Sequence, residues 1–247
     1  MIHRAIEERI HNALAKKKAV TIMGPRQVGK STLADAILPK DARILEINGD
    51  NTDVQTMFIN VDEAKMKVLI GNKNFLFVDE AQKIENVGNM LKIVAEKFKD
   101  VKIIVTGSSA FKLAEAVNES LTGRKREFRL YPLSFKEMAD ETSTLEESRM
   151  IDHRLIYGYY PEVVTSPGDE KEVLKELIDS YLYKDVMEEN NIAKPDKLVK
   201  LVQALAFQIG STVSANELAG LVGIDAKTVE RYIEILEKSY IIFTLPS

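Results

Sequence analysis

The sequence predicts an α/β protein in three layers, with a parallel sheet between two sets of helices. Three observations predict it. Short unbroken apolar runs alternate with stretches of helical period, a glycine-bearing loop joins the first run to a helix, and beyond Pro132 only helical patterns continue at length. Strands buried on both faces read as continuous apolar runs, and helical crossovers make such a sheet parallel.

An amphipathic helix over Arg4–Ala15 precedes a first strand, Ala19–Met23, and Thr32–Leu38 reads as the helix after it. Arg43–Asn48 is a second strand closing on the turn residues Gly49 and Asp50. A helical stretch over Asp53–Ile70 leads to a third strand, Phe75–Val78, and a helix over Asn86–Phe98 to a fourth, Val101–Val105. A helix over Lys112–Val117 and a last strand, Glu127–Tyr131, complete the domain. Next, Ser134–Ala139, Leu145–Tyr157 and Glu170–Asn190 read as a small helical subdomain, which a break at Ala193–Asp196 separates from a helix over Lys197–Ile209. Ser214 and Glu217 have capping-box spacing and open a short helix, Glu217–Leu221. The turn Val222-Gly223-Ile224 and the N-cap Asp225 lead to Ala226–Lys238, the spacing of a helix-turn-helix. Tyr240–Phe243 reads as the strand of a wing. The expected domains are residues 1–132, 133–192 and 193–247.

Composition narrows the function. Hydrophobic content of 45% and charged content of 29% are ordinary for a globular protein, and a net charge of −4 gives no global pull toward nucleic acid or acidic membrane. The chain has no cysteine, which excludes disulfides, zinc–thiolate sites and thiol catalysis and fits a reducing compartment. No apolar stretch approaches a membrane span, and Met1–Arg4 does not open a signal peptide, so the cytoplasm is the expected location. His3, His11 and His153 have no partners at metal-ligand spacing.

The chemistry concentrates in Gly24-Pro25-Arg26-Gln27-Val28-Gly29-Lys30-Ser31-Thr32, which matches the P-loop pattern G-x-x-x-x-G-K-[ST]. Backbone N–H groups of such a loop cradle phosphates, Lys30 reaches the β- and γ-phosphates of ATP or GTP, and Ser31 binds Mg²⁺. The helix that follows adds its partial positive charge. The run Phe75–Val78 ends in Asp79-Glu80, a Walker B element: Asp79 shares Mg²⁺ with Ser31, and Glu80 deprotonates the attacking water. A glutamate there favours water over a kinase acceptor, although a P-loop kinase remains an alternative. The fourth strand ends in hydroxyls that can sense the γ-phosphate, Ser108 first, with Thr106 and Ser109 as alternatives. Arg124, or else Arg126, is placed at the domain edge to stabilise charge on a neighbour's nucleotide.

The motifs GPRQVGKST, FLFVDEAQ, VTGSSA, LTGR, YPLSF, GYYPEVV and SYLYKDV, in that order, resemble prokaryotic AAA+-type ATPases with G-x-RQ-x-GK P-loops, relatives of archaeal signal-transduction-type ATPases. The resemblance implies sheet order 5-1-4-3-2, a helical lid and a winged helix followed by a domain of unknown function, so the chain reads as truncated in the wing or as a short member of the family. It also implies adenine as the base, Gln27 bracing the loop, and a lid element, Tyr160-Pro161, packing on the nucleotide. Tyr159 stands where the family commonly has glycine, and no sensor-2 arginine is apparent in the lid. The expected function is a Mg²⁺-dependent ATPase acting as a nucleotide-driven switch or in a homo-oligomer. The alternative, resting on the winged helix and on the basic cluster Arg124–Arg129, is a DNA-binding winged-helix module whose conformation ATP sets with little hydrolysis. The charges of its second helix balance: Lys227, Arg231 and Lys238 against Glu230, Glu234 and Glu237.

Overall fold

The three most continuous apolar runs become the middle of one sheet. The computed structural model describes residues 2–58, 61–108, 120–180, 186–187, 190 and 192–245. Strands β1 (Ala19–Met23), β2 (Ile44–Asn48), β3 (Phe75–Asp79), β4 (Lys102–Gly107) and β5 (Lys125–Arg129) lie in the order β2-β3-β4-β1-β5, all pairs parallel. This is the expected 5-1-4-3-2 order, counted from the other edge. β1 is buried along its whole length, whereas β5, at an edge, buries only Phe128 among Lys125, Arg126, Glu127 and Arg129. Parallel register sends all strand C-termini to one edge, which is where such sheets bind ligands.

The helices are α1 (Glu7–Ala15), α2 (Lys30–Ile37), α3 (Thr52–Phe58), α4 (Glu63–Ile70), α5 (Val87–Lys97), α6 (Phe135–Glu141), α7 (Thr144–Arg149), α8 (Ile151–Tyr157), α9 (Pro161–Thr165), α10 (Glu170–Leu177), α11 (Pro195–Ala206), α12 (Ala215–Val222) and α13 (Ala226–Lys238). The chain divides into two compact units, Met1–Glu170 and Lys171–Ser247. In the first, Ile10 and Leu14 of α1 and Leu33 and Ile37 of α2 pack on Val20, Ile22, Phe75, Phe77 and Ile104 of the sheet. Leu76 and Val78 alternate to the opposite face and are fully buried there. The second unit has its own core, in which Leu198 and Leu201 meet Leu218, Val229, Tyr232 and Leu236. Among the described residues no helix is long and apolar enough to cross a membrane.

Several expected elements differ. The stretch 53–70 is two helices, because Asp62 adopts extended backbone and accepts from the N–H of Lys65, starting α4 afresh. The stretch 145–157 is broken at Met150, whose N–H bonds back three residues to Glu147. The last strand begins two residues earlier than expected, in register with Ala19. The helix expected over 112–117 lies outside the described residues. Ser214 is an N-cap but its side chain makes no capping bond among the described residues, so the box read from Ser214 and Glu217 does not form.

The turn between α12 and α13 is as expected, and Asp225 caps α13 by accepting from the N–H of Thr228 at 2.9 Å. Gly223 makes that turn at φ 72°, where Lys197 Nζ donates to the carbonyl of Val222 at 2.9 Å. A side chain costs about 1–2 kcal/mol in the left-handed region. Gly223→Ala is therefore expected to lower the stability of the second unit by about that much, read from denaturant unfolding followed by circular dichroism; an unchanged midpoint would refute it. The strand expected at Tyr240–Phe243 is absent among the described residues. Tyr240 turns left-handed at φ 58° instead, its N–H bonding to Glu237 and that of Ile241 to Leu236. These two bonds are a Schellman cap, which uses the donors that strand pairing would need.

Candidate nucleotide site

The loop after β1 is shaped by close backbone approach. A Cβ on Gly24 would lie 2.0 Å from the carbonyl oxygen of Leu130, so only glycine fits where β1 runs into the loop beside the end of β5. Gln27 (φ 59°) and Gly29 (φ 87°) adopt left-handed backbone, the alternation that turns successive N–H groups toward one point. The side chain of Gln27 is exposed, so it shapes the loop through its backbone. Val28 is fully buried in the core and pins the loop from beneath. Gly29 opens α2 without a side-chain cap among the described residues, which leaves the first N–H groups of that helix for an anion.

Lys30 is 5% exposed. Its ammonium donates to the carbonyls of Gly24 (3.1 Å) and Pro25 (2.8 Å) and lies 3.8 Å from Glu80 Oε1. Burial pulls its pKa below the ordinary lysine value; Glu80 and Asp79 oppose that pull and Arg26 adds to it. Beside it, Ser31 Oγ donates to Asp79 Oδ2 at 2.8 Å, and Thr106, fully buried at the end of β4, donates to the other oxygen of the same carboxylate. Thr106 Oγ1 also accepts from the N–H of Glu80 at 3.2 Å.

Glu80 has φ 47°, an uncommon value for a side-chain-bearing residue, and it turns the chain out of β3. Its Oε2 accepts from Ser108 Oγ at 2.9 Å and from Gln82 Nε2, which also donates to Ser108 Oγ at 3.0 Å. Lys30, Ser31, Asp79, Glu80, Thr106 and Ser108 thus meet at the C-terminal edge of β1, β3 and β4. Ser109 lies outside the described residues. Ser31 and Asp79 are hard oxygen donors that fit Mg²⁺, which takes few protein ligands and draws the rest from phosphate and water.

Thr32 lines a cavity of about 420 Å³ beside the loop, with Val28, Gly29, Arg4, Met138 and Pro161 among its other walls. Tyr160 precedes Pro161 as the N-cap of α9; it packs against the core, and burial pushes its phenol up to about 12. Arg4 escaped the sequence reading. It is 7% exposed and forks three ways: to Glu137 Oε1 (3.1 Å), to the carbonyl of Val28 in the loop (2.9 Å) and to that of Tyr131 after β5 (2.7 Å). Glu137 in turn accepts from the N–H groups of Ala5 and Ser134, both at 2.8 Å. Gln82 escaped it too, although it follows the Walker B pair by two positions.

Arg124 and Arg126 are not brought to this point. They lie at the start of β5, at the opposite edge of the sheet, where Arg124 Nη1 pairs with Glu96 at 3.2 Å. In α8, Arg154 is committed to Glu147 at 3.0 Å and stacks over Tyr159, so it does not serve as a lid arginine for phosphate in this arrangement.

Comparison with known proteins agrees with this geometry. A family model described as an AAA domain matches residues 16–139, half of the chain. The chain belongs to this AAA domain family. Its AAA domain is a P-loop ATPase-like nucleotide-binding domain. A second model, a domain of unknown function (DUF8612), matches residues 148–247. An uncharacterized protein of Methanocaldococcus jannaschii is 26% identical over 98% of this chain and 59% of its own length. One of Haemophilus influenzae is 26% identical over 69% of this chain and 45% of its own. The AAA chain therefore spans about half the length of these curated relatives. A Walker-type ATPase of Pyrococcus abyssi, 17% identical, superposes over 97% of this chain and 90% of its own with a TM-score of 0.66, which shows a shared fold.

Proposed function

We propose that this AAA domain hydrolyses ATP with Mg²⁺ and that the cycle drives a conformational switch, in one chain or in a homo-oligomer. The observation that carries the reading is the convergence of Ser31 and Asp79 at 2.8 Å beside a buried Lys30 that lies 3.8 Å from Glu80. Bound Mg²⁺ would supply charge neutralisation at the phosphates. Backbone N–H groups from Arg26 to Thr32 and the Lys30 ammonium hold the phosphate chain, on a loop that Gly24 and Pro25 lead into. Glu80 takes a proton from the attacking water, with Ser108 and Gln82 fixing its carboxylate and Thr106 fixing that of Asp79. The cavity beside Thr32 receives the nucleoside, adenosine by family resemblance. Tyr160 and Pro161, among the helices that follow the sheet in the first unit, close it as a lid, and the helix-turn-helix belongs to the second unit. Because Arg124 is at the far edge of its own sheet, it acts only on a nucleotide held by another copy. The cytoplasm is the proposed location.

The test is phosphate release from MgATP over a range of protein concentrations. Release should stop when EDTA removes the metal, and specific activity should rise with concentration if Arg124 acts in trans. ATP that neither binds nor turns over at any concentration would sink the proposal.

A further inference from the structure

A second charged surface lies at the opposite edge of the sheet. β4, β1 and β5 are neighbours, and each begins beside cations: Lys102, then Lys16, Lys17 and Lys18, then Arg124. Together with Lys99, these line a groove of about 160 Å³ in which Asp100 is the only acid among the lining residues. Lys17 reaches Asp100 at 3.0 Å and Arg124 reaches Glu96 at 3.2 Å, while Lys18 donates to the carbonyl of Gly123. Lys16 and Lys99 are exposed and are paired with no carboxylate among the described residues. Six cations thus face two acids on a chain whose net charge is −4. Packing like charges together is unfavourable, and an anionic partner relieves the repulsion.

We propose that this groove takes the phosphodiester backbone of a nucleic acid. Four of the cations are exposed, Lys16, Lys99, Lys17 (67%) and Arg124 (53%), while Lys18 and Lys102 are half-buried, with the Lys102 ammonium over the Phe75 ring at 5.3 Å. This suits a chain of phosphates better than one discrete anion, which is held by buried groups. The lining presents positive charge strung along an open groove, which suits contact with backbone phosphates, and binding is expected to depend little on sequence. The helix-turn-helix is the weaker candidate, because α13 balances its charges and Lys238 is paired with Glu234 at 2.7 Å. The inference does not depend on ATP hydrolysis.

The experiment measures anisotropy of labelled mixed-sequence 30-mers, as duplex DNA, single-stranded DNA and RNA, with the full chain from 50 to 200 mM salt. Wild type should bind at least one, with affinity falling steeply as salt rises. Lys16→Glu/Lys99→Glu should weaken binding more than tenfold at 100 mM salt and flatten the log–log salt slope by about two. Lys16→Gln/Lys99→Gln should have a smaller effect in the same direction, and both variants should keep the wild-type melting temperature. Lys227→Glu/Arg231→Glu on α13 should bind as wild type. The proposal is overturned if no 30-mer binds at 50 mM salt, or if the α13 variant loses binding while the groove variants keep it. It is also overturned if vesicles containing anionic lipid bind through Lys16 and Lys99 while nucleic acid does not.

Discussion

Glu80→Gln is expected to reduce ATP turnover by about 10²–10⁴-fold, the range associated with losing a positioned general base, while MgATP binding stays within a few-fold of wild type. The glutamine keeps the size of the side chain and an oxygen that can accept from Ser108, so the turn out of β3 survives. What is lost is the capacity to take a proton from water, together with the charge beside Lys30. Removing a negative charge 3.8 Å from Lys30 also leaves that ammonium freer for phosphate, so affinity should hold or rise. Single-turnover phosphate release together with equilibrium binding of a fluorescent ATP analogue separates the two quantities. Unchanged turnover would remove Glu80 from the reaction.

Arg4→Ala is expected to cost about 3–5 kcal/mol of stability, because it leaves Glu137 as a buried charge without its partner. The same change frees the carbonyls of Val28 and Tyr131, so the loop and the end of β5 lose their common anchor. Replacing the pair together, Arg4→Met/Glu137→Leu, should recover much of the loss, since no charge is then stranded. The pair also has an acid limit. Burial works against the Glu137 anion, yet the N–H groups of Ala5 and Ser134 and the Arg4 guanidinium outweigh it and hold its pKa below the ordinary 4.5. A depressed carboxylate pKa contributes stability that is present above the unfolded-state value and lost as pH falls through the folded one. Thermal unfolding from pH 7 down to pH 3 should therefore show wild type losing stability below about pH 4.5 and the double variant losing less. A single variant as stable as wild type would count against the account.

The candidate nucleotide site was legible because it is written locally. Lys30 and Ser31 belong to one loop, Asp79 and Glu80 to one strand end, and parallel topology brings such ends together without further information. Arg4 was illegible for the opposite reason: it means nothing until Glu137 folds back beside it. Local signatures also proved two-edged. Ser134 and Glu137 form a full reciprocal capping box, whereas Ser214 and Glu217, with the same spacing, do not. The apolar run at Tyr240–Phe243 has strand composition, but composition cannot say whether its donors will find a neighbouring strand or the helix end just behind them. The turn at Gly223 followed from a local pattern that tertiary context left undisturbed, whereas the sheet order was implied by the family resemblance.

The charged edge strand β5 has a consequence for life in a crowded solution. Among the described residues no strand pairs with its outer side, and an edge of that kind is where an extended segment can add, the usual first step toward fibrils. Lys125, Arg126, Glu127 and Arg129 make that rim costly to approach, since stacking a second copy in register would bring like charges face to face. Only one buried aromatic, Phe128, ties the strand to the core, so resistance to clumping and membership of the sheet are carried by different residues of the same five. The β5 edge of the sheet is guarded by charge while the middle is held by grease, and a chain partly unfolded at its second unit would still present that charged rim.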